Sequence, residues 1–304
     1  MAAEGGNIII IRRYVYMGEL GERIPDEATH ITMGDGVTFV RAHAFRGHRN
    51  IVEIICHERV KKIEEGAFAN CRSLRRVIMP GVLVVEEEAF WNCPALTDVE
   101  CEKLEIIGKD TFYSCHSLGS INLPSARIVE GDAFCWCKVL VDAKFGNKLE
   151  RFDTGAFDNC PSLARITIPL KDGLVTRDDI FQGCEQLKHV DLVEEELLKE
   201  TVAALSLEEW RNDMNEEIDS INQILPDTHA GICENYNPGE EGGKARAIRR
   251  WVRSVLFKIA YYKAEHQKVL DEAASALCLA LPHDHDTMMN SVLPFLELPS
   301  YTFG

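Results

Sequence analysis

Eleven cysteines in 304 residues are the groups with most chemistry to offer. Cys56–His57 and Cys115–His116 set a thiol beside an imidazole, the pairing from which a thiolate nucleophile is made. Cys135 and Cys137 lie close together but lack the two-residue spacer of a zinc knuckle. Near the end of the chain His283, Asp284, His285 and Asp286 follow one another. Adjacent residues seldom converge on one ion, so solvation or adventitious binding accounts for that run and no metal site is assigned. Neighbours in a strand face opposite sides, so a strand-borne Cys–His pair could not hydrogen-bond usefully. GxxxxGK[ST], HExxH and GxSxG are absent from the sequence. Gly34-Asp35-Gly36 reads as a turn. No catalytic residue and no cofactor is therefore assigned.

The cysteines make sense only within the element that carries them. Phe45, Phe68, Phe90, Phe112, Phe134, Phe157 and Phe181 recur at gaps of 23, 22, 22, 22, 23 and 24 residues. Three residues after each stands His48, Cys71, Cys93, Cys115, Cys137, Cys160 or Cys184, and three further on Ile51, Leu74, Leu96, Leu118, Leu140, Leu163 or Leu187. Alternating apolar pairs follow, such as Ile54 with Cys56, Val77 with Met79 and Ile166 with Ile168. Five residues before the anchors come Val40, Ile63, Val85, Ile107, Val129 and Phe152, with Thr176 as a worn last member. Alternation predicts one short strand per unit, and stacking predicts one parallel sheet along a solenoid. No unit can bury its own Phe, Leu and Cys, so neighbours must bury them together. Cys is small and among the most buried residue types, so the thiol column fills a tight interior row.

Segments such as GAFANCRSLRRVIMP (66–80), EAFWNCPALTDVE (88–100) and GAFDNCPSLARITIP (155–169) resemble the BspA-like leucine-rich-repeat family. The resemblance covers roughly residues 30–193 and implies a right-handed solenoid with a parallel sheet. It also implies binding of a protein or ligand, and it brings no catalytic residues. Many members are secreted or surface-exposed, whereas the short apolar run Ile8 to Ile11, preceded by Glu4, does not read as a signal peptide. An intracellular protein without a membrane span is expected.

The residues alternating with the buried ones should face outward. One such column is Glu53, Arg76, Asp98, Ser120, Asp142, Arg165 and His189. The other is Ile55, Ile78, Glu100, Asn122, Lys144, Thr167 and Asp191. Repeat proteins commonly bind through such a surface. A net charge of −16, mixed signs and the absence of an aromatic platform disfavour nucleic acid as partner. Ile55 and Ile78 side by side point to a contact patch.

Beyond Leu192 the repeat stops. A helical extension is expected over 194–281, made of an acidic helix region (194–225, broken near Ser206), a loop (226–243) and a basic helix (244–281). Residues 1–29 are read as a cap segment, 30–193 as seven repeat units and 282–304 as a tail. The acidic stripe is Leu198, Val202, Leu205, Met214, Ile218, Ile221 and Leu225. The basic one is Ile248, Val252, Val255, Ile259, Tyr262, Val269, Ala273 and Ala276, spaced as in a coiled coil. Ten acids oppose Lys199 and Arg211 over 194–225, whereas eight bases oppose Glu265 over 244–268. Opposite charge predicts that the two helices pair antiparallel. Residues 205–280 also resemble the C-terminal extension of leucine-rich-repeat proteins from diatoms, which implies a recurrent solenoid-plus-hairpin architecture. Leu293, Phe295 and Leu296 in the tail could pack back or form a binding motif. Three functions stay open: a protein-interaction module or scaffold using the solenoid face, a protein that self-assembles through the hairpin or solenoid end, and a thiol-dependent enzyme.

Overall fold

The computed structural model describes residues 12–193, 195–225 and 243–280. Ile8 to Ile11, most of the loop, the His283–Asp286 run and the tail lie outside the described residues.

Among the described residues fifteen short strands wind into parallel ladders. One ladder joins β1 (Arg13–Tyr16), β2 (His30–Met33), β4 (Glu53–Ile55), β6 (Arg76–Ile78) and β8 (Asp98–Glu100). Further along lie β10 (Ser120–Leu123), β12 (Asp142–Phe145), β14 (Arg165–Ile168) and β15 (His189–Leu192). A second row carries β3 (Phe39–Val40), β5 (Lys62–Ile63), β7 (Val84–Val85), β9 (Ile106–Ile107), β11 (Ile128–Val129) and β13 (Arg151–Phe152). The expected single sheet is thus corrected to two collinear segments plus a ladder of two-residue strands. The break falls between β8 and β10, where Val99 is only half-buried while its counterparts Val77 and Ile121 are buried.

Register follows the repeat unit by unit. Glu53 pairs with Arg76, and Arg76 with Asp98. Asp142 pairs with Arg165, and Arg165 with His189. Two features depart from the sequence reading. Val175, not Thr176, bridges to Phe152 and is buried, because the last unit is longer and its register slides by one residue. The Thr176 hydroxyl instead donates to the Phe152 carbonyl at 3.2 Å. In addition, β1 extends the sheet into the segment read as a cap. Tyr16 sets its ring 4.9 Å from that of Phe45 and closes the aromatic ladder at that end.

Inside, the phenyl rings stack coil on coil at centroid separations of 4.9, 5.2, 5.4, 5.3, 5.2 and 5.8 Å from Phe45 to Phe181. Each column thiol donates to the carbonyl of the Phe one coil back: Cys71 to Phe45, Cys93 to Phe68, Cys115 to Phe90, Cys137 to Phe112, Cys160 to Phe134 and Cys184 to Phe157, at 3.0–3.4 Å. That carbonyl already accepts from its own coil, as from the Cys71 N–H at Phe68. The column therefore needs a residue small enough for the row and able to supply a second, weak donor. Two further columns turn the chain through left-handed backbone. Two residues before the anchors it uses His43, Gly66, Glu88, Asp110, Asp132 and Gly155, and two after them Gly47, Asn70, Asn92, Ser114, Trp136, Asn159 and Gly183. Gly, Asn and Asp tolerate this region, but a bulky residue such as Trp136 does not and costs about 1–3 kcal/mol there.

Among the described residues four helices close the far end: α1 (Glu195–Ala203), α2 (Glu208–Asp219), α3 (Ile221–Ile224) and α4 (Gly243–Ala280). The Asn222 carboxamide oxygen accepts from the Val190 N–H at 3.2 Å, so α3 covers an open position of the last strand. Lys244 is buried and its ammonium donates to the carbonyls of Cys184, Glu185 and Leu187 at 2.6, 2.8 and 3.0 Å. Trp251, also buried, donates to the Glu217 carbonyl at 2.8 Å. α2 and α4 run antiparallel, since Ser206 meets His266 while Glu217 meets Lys258.

The charge argument is correct in sense and incomplete in detail. Lys258 bridges Asp213 and Glu217, both at 2.9 Å. Arg246 and Arg249 instead reach Asp178, and Arg253 reaches Asp172, both on the last coil. The basic helix is thus shared between its acidic partner and the solenoid. Its apolar stripe also ends early. Val269, Ala273 and Ala276 are exposed and Leu270 is the buried residue, because a 3.6-residue helix drifts away from a strict seven-residue pattern.

Candidate functional site

The two segments β1-β2-β4-β6-β8 and β10-β12-β14-β15 bring the predicted outward residues into two rows. Strand pairing sets Glu53, Arg76 and Asp98 in line, and Ile55, Ile78 and Glu100 beside them. Beyond the break come Ser120, Asp142, Arg165 and His189, with Asn122, Lys144, Thr167 and Asp191. The reading from sequence missed four members at the near end. Arg13 and His30 extend the first row, while Val15 and Thr32 extend the second. The signal was present as alternation in RYVY and HITM, but neither segment carries the Phe anchor.

Most charges on this face already have partners. The Arg76 guanidinium touches Glu53 at 3.7 Å, Asp98 at 3.0 Å and Glu100 at 2.5 Å. Arg165 holds Asp191 at 2.7 Å, and Lys144 holds Asp142 at 3.2 Å. His30 lies 3.9 Å from Glu53. Glu100, the first partner of Arg76, holds that guanidinium's pKa above its ordinary value. Val15 and Ile55 in the second row are exposed and Ile78 is half-buried. Met17 and Leu20, just beyond β1, are exposed as well.

A second set of residues escaped the sequence reading. Trp136, Val139 and Val141 are exposed around Lys138, whose ammonium lies 5.4 Å from the centre of a Trp136 ring. Other coils place Gly, Asn or Ser where Trp136 stands, and Asn, Ser, Ala or Gln where Val139 stands. Comparing units column by column would have exposed this departure.

The nine cysteines from Cys56 to Cys184 are buried and make poor nucleophiles. Burial pushes Cys56, Cys93 and Cys101 up to about 12, and Cys71, Cys115, Cys137 and Cys160 well above the ordinary thiol value. A protonated, inaccessible thiol neither attacks nor binds metal. The two Cys–His neighbours lie in loops rather than strands, and His57 Nε2 contacts the Gly34 carbonyl at 3.0 Å. Among the described residues no group of three or more His, Cys, Asp or Glu is placed to hold a metal ion. A shallow cleft between the last coil and α4, lined by Lys171, Asp172, Gly173, Leu174, Val175, Arg249 and Val252, has a cavity volume of about 10 Å³, room for about one water and far below the ~300–1,000 Å³ of small-molecule sites.

A third feature is an acidic corner. Burial, then the charges of Asp132 and Asp179, lift Asp158 to about 6, against the hydrogen bonds it receives from Asn159. One of its carboxylate oxygens is buried with no hydrogen-bond partner. A carboxyl with a raised folded-state pKa stabilises at low pH, and that contribution is lost as pH rises through the raised value. Between pH 4 and 7 the contribution, discounted for solvent, is on the order of 1 kcal/mol. Asp158→Asn should therefore flatten the dependence of stability on pH in that window, measured by urea unfolding. Equal slopes for both proteins would remove the corner as a titrating site.

The spacing and contacts of the coils match a described repeat. The profile of the BspA type Leucine rich repeat region fits the sequence in 6 copies, over residues 26–128 and 105–209. The chain belongs to the BspA-type leucine-rich-repeat family. No curated protein matches it. A leucine-rich repeat protein from Bacteroides ovatus is 23% identical at a TM-score of 0.46, over 57% of this chain and 47% of its own. The T. pallidum leucine-rich repeat protein TpLRR is 25% identical at 0.40, over 54% of this chain and 70% of its own. The chain thus spans about half the length of the first. The leucine-rich-repeat assignment rests on the repeat match, which ends at residue 209, before α4. No helix among the described residues of this leucine-rich-repeat chain is long and apolar enough to cross a membrane.

Proposed function

We propose that this chain is a non-catalytic binding module for another protein, and that the partner seats on the solenoid face. The observation that carries the reading is the contrast between its two rows. Charged side chains such as Arg76 and Arg165 are neutralised by neighbours, whereas Val15, Ile55 and Ile78 lie on paired strands with only Thr32 between the first two. Neutralised charges favour orientation and exclude mismatched partners. Exposed aliphatic surface is where desolvation drives association. The full candidate face runs from Glu53 and Ile55 to His189 and Asp191, and its near end is the energetic centre. The buried thiols speak against a thiol-dependent enzyme.

The test replaces Val15 and Ile55 by Lys together, with Val139→Lys plus Leu207→Lys, exposed residues outside the two rows, as the control. Both variants should keep the circular dichroism of the parent, since all four positions face outward. Proximity labelling in the native cell should lose its main partner with the first variant and keep it with the second. Retention of every partner by the first variant removes the near end from the binding surface.

A further inference from the structure

We infer that α4 is also a homodimerisation helix, pairing antiparallel with α4 of a second copy across a two-fold axis near Tyr261. This goes beyond the binding role of the solenoid face and does not depend on it.

The helix has two stripes. Ala245, Ile248, Val252, Val255 and Ile259 are buried against the last coil and α2. On the opposite side Arg250, Phe257, Tyr261, Ala264 and Lys268 recur at spacings of three to seven and are exposed. Phe257 is 71% exposed and Tyr261 51%, more than isolated surface aromatics require when each buries 150–250 Å² in a contact. From Val269 to Ala276 the helix is exposed on several sides, with Leu270 the buried exception.

Charge along the exposed stripe selects the occupant and its direction. The stripe begins basic at Arg246, Arg250 and Arg253, is aromatic and small at its middle, and ends acidic at Asp271 and Glu272, past Lys268, whose charge is taken up by Glu265. Arg246 and Arg253 have carboxylate partners on the last coil. Arg250 and Glu272 form no ion pair among the described residues. A parallel second copy would set bases on bases. In the antiparallel arrangement centred on residue 261, Arg250 of each copy meets Glu272 of the other, and Phe257 packs over Ala264 and the stem of Glu265. Tyr261 then meets its own mate. One surface serves both copies, as a two-fold contact demands. Opposite charges at both ends fix the register. A membrane surface is a poorer fit, because a chain of net charge −16 is repelled by anionic lipid.

Sedimentation equilibrium of the full chain at low salt supplies the test. The parent should be dimeric at tens of micromolar. Phe257→Lys should weaken the dimer about 30-fold or more, as loss of an aromatic anchor does, while leaving the melting curve unchanged at concentrations where the parent is monomeric, because the side chain is exposed. Arg250→Glu and Glu272→Arg should each weaken it, and the double variant should restore it, since the swapped charges meet again across the axis. A monomeric parent at 50 µM (roughly the upper range for a specific complex) overturns the inference. So does a double variant no stronger than the singles, the outcome expected if α4 docks on another surface such as the acidic side of α1 and α2.

Discussion

Phe112→Ala lowers the stability of the chain by about 3–5 kcal/mol in urea unfolding, the range for truncating a fully buried aromatic. The ring is stacked between Phe90 at 5.4 Å and Phe134 at 5.3 Å, nearly parallel to both. It is inaccessible to solvent, so no surface rearrangement can fill the hole. Each coil contacts only its neighbours, and a defect in the middle of the series weakens two interfaces at once. The same change at Phe181, the last anchor, should cost less. A loss below about 1.5 kcal/mol at Phe112, typical of well-tolerated core swaps, would contradict a shared, close-packed interior.

Lys244→Ala is expected to cost about 1–3 kcal/mol, the range for leaving a buried hydrogen-bonding group without its partner. The ammonium donates to the carbonyls of Cys184, Glu185 and Leu187. Removing it leaves these groups without that donor and opens a gap between α4 and the last coil. Hydrogen exchange should then accelerate in β15 and in the first turns of α4 before it does in the middle coils. Arg253→Ala is the comparison. Its pair with Asp172, at 3.0 Å, is exposed and should contribute no more than about 1 kcal/mol. Similar losses for the two variants would mean that the ammonium is not the tie between the two parts.

The coil stack was legible because its pattern is tied to covalent spacing. A Phe every 22 to 24 residues leaves few ways to bury the rings except on one another. The limits of that reading are equally physical. A one-residue lengthening of the last unit moved Val175 into the place assigned to Thr176, which column counting cannot anticipate. β1 carries no Phe, and Tyr16 does that job from within a strand. Summed charge favoured pairing of the basic and acidic helices. It could not say that Asp172 and Asp178, far away in sequence, would claim Arg253, Arg249 and Arg246.

The outward rows were placed correctly by alternation alone, since a two-residue period fixes which side chains leave the core. Their energetic character was not. Only the folded structure shows that Arg76 is surrounded by three carboxylates, so its charge is already neutralised while Ile55 stays exposed. Trp136 was readable in principle, as the one bulky residue in a column of Gly, Asn and Ser, and stands in left-handed backbone.

Thiol accessibility in the folded chain tests the sealed stack most directly. Cys71, Cys93, Cys115 and Cys160, each at 0% exposure, should react with an aromatic disulfide reagent only as fast as the protein opens, and at full rate once urea unfolds it. Mass spectrometry of the labelled peptides assigns the sites. Rapid modification of those four thiols in native buffer would mean that the coils do not shield one another, and it would bring thiol chemistry back as the function.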